Sequence, residues 1–257
     1  MNGKRGRPSD GVLSDLIASL TSEDTDGTEL GASRNDAGRV ERKGIPEVIY
    51  ASNKSQEQII EITRVMLSQA GRAIISRAPD GLVEHLRSTF PTAEIDHRPG
   101  MWTVAVRGPG CCPAPTGGRV AIFAAGTSDL PVVDEARVIA EQMGCAVQVI
   151  ADVGVAGLHR LFGPLRKLLD EGVDAIIVAA GMDGALPSVV AGLVPVPVIG
   201  LPTSIGYGYG GGGQAALMSM LQTCTPGLTV VNIDNGIGAG ASAAMIANAI
   251  ARARLRD

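Results

Sequence analysis

The feature that most limits the fold of this chain is an alternation of short apolar runs with helical segments, which begins at Arg119. The runs VAIFAAG, AVQVIA, AIIVAAG, VPVIGLP and LTVVNI are bounded by Gly, Pro or polar residues, and an amphipathic segment follows each. Strands that are covered by helices on both faces need such continuous apolar runs, and crossover helices join parallel strands. The pattern predicts an α/β fold with a doubly wound, parallel five-stranded sheet in the order 2-1-3-4-5 and three layers, α/β/α.

The rest of the chain divides into three segments. Residues 1–44 are rich in Gly, Ser, Asp and Arg, and apart from a short helix over VLSDLIASL they predict a mobile N-terminal extension. Residues 45–107 combine strand and helix patterns and predict a smaller N-terminal α/β domain. Gly and Pro concentrate in GPGCCPAPTGG, residues 108–118, which predicts a linker. We therefore expect a flavodoxin-like catalytic domain over residues 119–257.

The composition argues against several classes of partner. The net charge is -4 and no basic stripe follows the N-terminus, which argues against nucleic acid. No apolar run reaches the roughly 18 residues of a membrane helix, so we expect a cytoplasmic protein with no membrane partner. The four cysteines form no CxxC pair and no His stands at ligand spacing, which argues against a zinc site and a disulfide framework.

The loop after the first strand of the large domain is a candidate anion site. In doubly wound sheets, ligands bind beyond the carboxyl ends of the strands, near the switch in strand order. Gly126 frees the backbone there, and Thr127, Ser128 and Asp129 precede a helix, so that hydroxyls and free amides could hold a phosphate. Plain N-capping by Ser128 or Asp129 explains the same residues equally well.

Three other loops carry candidate chemistry. Asp183 in GMDGALP would be exposed at the sheet edge, although a helix cap is again an equal alternative. The loop after the fourth strand, SIGYGYGGGGQ, is long and rich in glycine, which costs conformational entropy on folding and favours a functional role. His159 and Arg160 open the helix after the second strand and could face the same cleft, although a histidine at a helix start is more often structural. Cys224, just before the fifth strand, would ordinarily be an inert thiol.

Taken together, these loops resemble those of the aminoimidazole ribonucleotide carboxylases and mutases, in which a Gly-Thr/Ser-x-Ser-Asp type of loop binds a nucleotide phosphate. Here that loop is GTSD, residues 126–129. The second loop reads GLHR where those enzymes have Ala-His-Arg, and the third reads GMDGALP where they have Gly-x-x-Ala-His-Leu-Pro. These departures favour a substrate other than a purine precursor.

The likeness to the LarB family is closer. It is carried by PEVIYASNKSQEQI, by FAAGTSDLPVVDEA, by AAGMDGALPSVV with GLPTSIGYGYGGGGQAALMSMLQTC, and by VVNIDNGIGAG, which together span most of the chain after Gly44. The resemblance implies an enzyme that carboxylates the pyridinium ring of nicotinic acid adenine dinucleotide with CO2 or bicarbonate and hydrolyses its phosphoanhydride. The products would be AMP and pyridinium-3,5-biscarboxylic acid mononucleotide, the precursor of the nickel-pincer cofactor.

The resemblance also implies roles for particular residues. Cys224 would be the nucleophile that adds to the ring, and Asp183, where the family usually has glutamate, would accept a proton. The substrate would be held by Gly126, Thr127, Ser128, Asp129, His159, Arg160, Gly181, Met182, Gly184, Ala185, Gly206, Tyr207 and Gly208. Mg²⁺ is a candidate cofactor, because enzymes that cut a phosphoanhydride often use it to offset charge.

The predicted topology puts Cys224 at the end of its own sheet that lies opposite the three loops. The related purine enzymes are octamers with sites between subunits, so the resemblance implies a homo-oligomer, an octamer, in which Cys224 serves a neighbour's cleft. Two other functions stay open. A purine-pathway carboxylase or mutase would need no nucleophilic cysteine, and a non-catalytic dinucleotide-binding module would release no AMP.

Overall fold

The computed structural model describes residues 29–30, 33–34 and 39–256. Its first elements are an antiparallel pair, β1 (Glu29–Leu30) and β2 (Ser33–Arg34), and a short helix, α1 (Arg39–Lys43). All three lie within the 44-residue extension predicted from the sequence. The helix predicted over VLSDLIASL falls outside the described residues, and the mobility of the extension stays a prediction.

The small domain is a four-stranded mixed sheet with two helices. Its elements are β3 (Val48–Tyr50), α2 (Gln56–Ala70), β4 (Arg72–Ser76), α3 (Leu82–Thr89), β5 (Glu94–Asp96) and β6 (Val104–Arg107), with the strand order β3-β4-β6-β5. A capping box starts α2, because the Ser55 hydroxyl accepts a bond from Gln58 N and the Gln58 side chain accepts one from Ser55 N. The edge strand β5 reads EID, with two charged residues out of three, so it has no apolar run from which it could be predicted.

The large domain has the predicted doubly wound sheet, and the α/β fold class is confirmed. Its elements are β7 (Arg119–Ala124), α4 (Leu130–Gln142), β8 (Ala146–Ile150), α5 (His159–Glu171), β9 (Ala175–Ala180), α6 (Ala185–Ala191), β10 (Val198–Pro202), α7 (Gln214–Leu221), β11 (Leu228–Val230) and α8 (Gly236–Arg254). All strand pairs are parallel, in the order β11-β10-β9-β7-β8. Helices α4 and α8 cover one face, and α5, α6 and α7 cover the other. Every residue of the central strand β9 is consequently buried.

The last helix begins at Gly236, six residues before the SAAMIANAIARAR helix that the sequence predicts. Its first turns are rich in glycine, which has low helix propensity, so the sequence pattern conceals them. Packing explains the glycines: a Cβ on Gly240 would lie 2.4 Å from the carbonyl oxygen of Ala136 on α4. The glycines therefore allow α8 and α4 to approach closely.

The small domain packs directly on α4. Ile74 of β4 and Ala105 of β6 belong to the same buried apolar cluster as Val133 and Ile139 of α4. The two domains thus share part of one core, although a Gly- and Pro-rich segment joins them.

The charged side of α4 is buried as well. Asp134, Glu135 and Arg137 are each at most 3% exposed. Arg137 pairs with Asp134 at 2.7 Å and reaches Asp96 of the small domain at 3.6 Å. In the part of the chain that the structure describes, no helix is long and apolar enough to cross a bilayer.

Candidate active site

The loops at the carboxyl end of the parallel sheet enclose a cleft of about 520 Å³. It lies where the order of the strands reverses, between the loops that follow β7, β8, β9 and β10, as expected for this fold. Among the predicted site residues, the cleft is lined by Gly126, Ser128, Asp129, Gly181, Met182, Asp183 and Ala185. Gly154, Val155, Ala156 and Ile205 also line it, and none of them was a predicted site residue. Apolar residues carry no chemical signal that could have identified them.

Asp129 fixes the first of these loops. Its Oδ2 accepts a hydrogen bond from Gly126 N at 2.8 Å, and its Oδ1 accepts one from the Thr203 hydroxyl at 2.6 Å. Burial raises the pKa of Asp129 above its ordinary value, and the two hydrogen bonds offset part of that effect. Both carboxylate oxygens are therefore engaged within the protein. Thr127 and Ser128 are exposed, which leaves their hydroxyls available to an anion.

The loops after β9 and β10 are joined at the floor of the cleft. Met182 N donates to the carbonyl oxygen of Ile205 at 2.8 Å. A Cβ on Gly181 would lie only 1.9 Å from that same oxygen, so the contact requires glycine there. Met182 has a left-handed φ of 46°, a strained conformation that often marks functional loops. Asp183, the next residue, is exposed and lines the cleft.

The remaining predicted residues lie around this cleft rather than on its lining. Gly184 is buried at the start of α6, and Gly206, Tyr207 and Gly208 continue the exposed glycine-rich loop beyond Ile205. His159 and Arg160 are also outside the lining.

Arg160 already has a partner of opposite charge within the protein. Its guanidinium forms an ion pair with Asp152 in the loop after β8, and both side chains are about half exposed. His159 is exposed beside it at the start of α5. Neither of the two side chains that could have faced the cleft lines it.

Cys224 lies at the amino end of the sheet. It is exposed, and it stands between α7 and β11, three residues before Gly227, whose carbonyl accepts a bond from Val198 N at the start of β10. A single chain therefore does not bring Cys224 and Asp183 together, as the topology predicted. Across the described residues, no group of three or more His, Cys, Asp or Glu side chains could hold a metal ion.

Two family models match the chain. Residues 27–106 match the LarB/PurE-like N-terminal domain, and residues 119–256, more than half of the chain, match AIR carboxylase. The first match begins before residue 45, where the sequence analysis started the small domain.

Individual relatives agree with these matches. An uncharacterised protein of Methanocaldococcus jannaschii is 41% identical over 215 residues, which is 82% of this chain and 82% of its own. The N5-carboxyaminoimidazole ribonucleotide mutase of Thermotoga maritima is 32% identical over 50% of this chain and 74% of its own. The mutase of Mycobacterium tuberculosis is 34% identical over 48% of this chain and 67% of its own. With both of its domains matched and its cleft built on the loops that carried the resemblance, the chain belongs to the LarB family of AIR carboxylase-domain proteins, enzymes of the carboxylase–mutase type.

Proposed function

We propose that this enzyme carboxylates the pyridinium ring of nicotinic acid adenine dinucleotide and hydrolyses its phosphoanhydride. The products are AMP and pyridinium-3,5-biscarboxylic acid mononucleotide, for nickel-pincer cofactor biosynthesis. The observation that carries this proposal is the small domain, because residues 27–106 match the LarB/PurE-like N-terminal domain. The purine mutases match only about half of this chain, which is the length of its large domain.

The cleft has properties that suit such a substrate. Its volume of about 520 Å³ lies within the usual range for small-molecule sites. The exposed Ser128 hydroxyl lines the cleft, at the start of a helix whose free amides favour a phosphate. Asp183, on the loop after β9, supplies an exposed carboxylate to the same cleft, and in its ionised form it can accept a proton from a reacting carbon.

The chemistry requires a nucleophile, because an electron-poor pyridinium ring does not attack CO2. Addition of the Cys224 thiolate to a ring carbon next to the reacting one gives a neutral dihydropyridine, an enamine. The enamine carbon attacks CO2, and a C–C bond forms while positive charge returns to the ring nitrogen. Asp183 then removes the proton from that carbon, and expulsion of the thiolate restores the aromatic ring. Water separately cleaves the phosphoanhydride to release AMP.

A second subunit must supply Cys224, because this residue lies at the end of the sheet opposite the cleft. The surface around Cys224 supports such an assembly. Met218 and Leu221 on the preceding helix, α7, are 69% and 65% exposed. Large exposed apolar side chains close together on one surface are typical of subunit contacts. We propose that this surface meets the cleft of another copy in a closed homo-oligomer, an octamer.

Mg²⁺ is compatible with the proposal as a cofactor. It usually keeps several waters and takes one or two carboxylates together with substrate phosphates, so it needs no dedicated cluster of protein ligands. The substrate phosphates and water would supply its ligands, which leaves Asp183 free to accept the proton.

The first experiment incubates the wild-type protein with nicotinic acid adenine dinucleotide, bicarbonate and Mg²⁺, and follows AMP and the mass of the pyridinium product. We expect AMP together with a product heavier by one carboxylate. Cys224→Ala should abolish carboxylation, whereas Cys112→Ala, at another exposed thiol, should retain it. Turnover of imidazole ribonucleotides with none of the dinucleotide would make this a purine enzyme, and binding without AMP release would make it a binding module.

A mixing experiment tests whether the site is shared between subunits. Cys224→Ala and Asp183→Asn are unfolded together and refolded as mixed oligomers. If each site takes Cys224 and Asp183 from different copies, random assembly leaves about a quarter of the sites intact and restores activity to that level. If both residues came from one chain, no site in the mixture would be intact and activity would stay at background.

A further inference from the structure

Arg77 of the small domain contacts Glu135 and Asp234 of the large domain and packs on Trp102 of its own domain. Its Nε lies 3.2 Å from the Glu135 carboxylate, and its guanidinium covers the Trp102 ring at 4.1 Å from the ring centre. Its Nη2 donates to the carbonyl oxygen of Asp234 at 2.9 Å. Glu135 is also bonded by the Ser76 hydroxyl at 2.6 Å and by Trp102 Nε1 at 3.0 Å. The guanidinium is therefore held rigidly in place.

Asp234, on the other side of this contact, holds the start of the glycine-rich loop. Its backbone N donates to the carbonyl oxygen of Pro202, and its Oδ1 accepts a bond from Ser204 N, both at 2.8 Å. Thr203, between these two residues, donates to the Asp129 carboxylate in the cleft. Hydrogen bonds and the backbone of residues 202–204 therefore connect Arg77 to the cleft.

The backbone at both ends of this contact is strained. Arg77 and Asp234 have φ angles of 59° and 55°, in the left-handed region that side chains other than glycine rarely adopt. Such conformations persist only where their surroundings fix them. The loop that Asp234 holds is rich in glycine from Gly206 to Gly213 and has little conformational preference of its own. Its position therefore depends on anchors outside the loop.

We propose that Arg77 is a positioning residue: through Asp234 it fixes the start of the glycine-rich loop, residues 203–213, and so sets the affinity of the cleft for its ligand. This assigns a role to the small domain, which holds the loop of the large domain without lining the cleft. The effect on ligand affinity rests on the proposed function, whereas the effect on the loop does not.

Four variants separate positioning from general stability. Arg77→Lys keeps a positive charge beside buried Glu135, but a single ammonium cannot reproduce the separate Nε and Nη2 contacts. Asp234→Ala removes the acceptor for Ser204 N, and Asp234→Asn keeps an oxygen there and tolerates the left-handed backbone. Arg64→Ala is the matched control, because Arg64 also pairs with a carboxylate and covers an aromatic ring, in contacts within the small domain.

The first measurement is amide hydrogen exchange of residues 203–213 in the ligand-free protein. We expect exchange about fivefold or more faster in Arg77→Lys and Asp234→Ala, and wild-type exchange in Asp234→Asn and Arg64→Ala. Trp102, the one tryptophan of the chain, should keep its wild-type emission in Asp234→Ala, which indicates an intact domain interface. Unchanged exchange in both Arg77→Lys and Asp234→Ala would overturn the proposal, as would acceleration spread equally over the whole chain.

The second measurement is the steady-state kinetics with nicotinic acid adenine dinucleotide. We expect Arg77→Lys to raise KM about tenfold and to change kcat less than about threefold, with Arg64→Ala like wild type. If loop exchange became faster while KM stayed unchanged, the result would contradict the proposed effect of Arg77 on ligand affinity. A wild-type protein that does not turn over the dinucleotide would contradict the proposed function, and the exchange result would still decide the role of Arg77 in the loop.

Discussion

At the scale of single residues, the cysteines differ sharply in their environments. Cys112 and Cys224 are exposed. Cys145 is buried in the large domain, just after α4, where its Sγ lies 3.2 Å from Oδ1 of Asn248 on α8. Burial raises the pKa of the Cys145 thiol to about 11. The thiolate, which is the reactive form, is therefore scarce at this position.

We expect iodoacetamide at pH 8 to modify Cys112 and Cys224 at least about tenfold faster than Cys145 in the native protein, because burial shields the Cys145 thiol and raises its pKa to about 11. Peptide mapping by mass spectrometry after short labelling measures the three rates. Labelling in urea is the control, where Cys145 should react like the others. Equal rates in the native protein would contradict the burial of Cys145.

The pKa of Asp129 gives stability a definite dependence on pH. A carboxyl whose pKa is raised in the folded state binds its proton more tightly there than in the unfolded chain. Its contribution to stability is present at low pH and is lost as the pH rises from the ordinary value of 3.8 through the folded pKa. An amide in this position resembles the protonated acid and does not titrate.

Asp129→Asn should therefore gain stability relative to wild type between pH 4 and pH 7, because only the wild type loses its proton. The amide oxygen can still accept from Gly126 N, and its NH2 can donate to the Thr203 hydroxyl, so we expect the variant to stay within about 1 kcal/mol of wild type at pH 4. Urea unfolding at several pH values tests this, with Asp170→Asn, an exposed carboxyl on α5, as the control. A constant difference between Asp129→Asn and wild type over this range would contradict the raised pKa.

The sequence identified Asp129 but could not decide its role. Capping and ligand binding were equal alternatives because the partner that decides between them, Thr203, stands 74 positions away. Arg77 carried no signal, and Asp234 entered only as part of VVNIDNGIGAG with no role of its own, because their contacts join loops that are close only after folding. Local spacing predicts which loops meet, but not which side chains in them are already engaged.

At the scale of elements, most strands and helices could be predicted because burial on both faces leaves a clear apolar pattern, as in β9. The start of α8 could not be predicted, since glycine has low helix propensity. Only the contact with α4 compensates for that low propensity. The sequence likewise gives no sign that the charged residues of α4 are buried, yet the small domain covers them. Both differences arise from packing between elements, which periodicity does not record.

Gly240→Ala tests the close contact between α8 and α4. Alanine is the better helix former, yet its Cβ would overlap the Ala136 carbonyl, so we expect the free energy of unfolding to fall by about 2 kcal/mol. Ser242→Ala, on the exposed side of the same helix, should be neutral or slightly stabilising. Urea unfolding measures both, and a stabilised Gly240→Ala would show that the helices can separate at little cost.

At the scale of the whole molecule, the sequence predicted the strand order of the large domain but not the interface between the two domains. The Gly- and Pro-rich stretch at residues 108–118 predicts a linker, which is typical of independent domains. Instead, Ile74 and Ala105 complete the core around α4. The relation of Cys224 to the cleft likewise lies beyond any single chain, because it depends on which surfaces of different copies meet.

The shared core predicts that both domains unfold together. Trp102 reports on the domain interface, and far-ultraviolet circular dichroism reports mainly on the helices of the large domain. We expect the two signals to give the same urea midpoint, as in a two-state transition. Separate midpoints would mean that the small domain unfolds independently and that its contact with α4 contributes little.

Helix α4 packs against two neighbours, α8 and the small domain. These two contacts limit which changes to the protein are tolerated, both in engineering and in evolution. A chain that began at Arg119 would expose Asp134, Glu135 and Arg137 to water together with the apolar residues of α4 that share a core with the small domain. The large domain could then be produced alone only after the apolar positions of that surface had been redesigned. Loss or exchange of the small domain during evolution would likewise need matching substitutions along this one helix, so its sequence should record whether a relative carries the second domain.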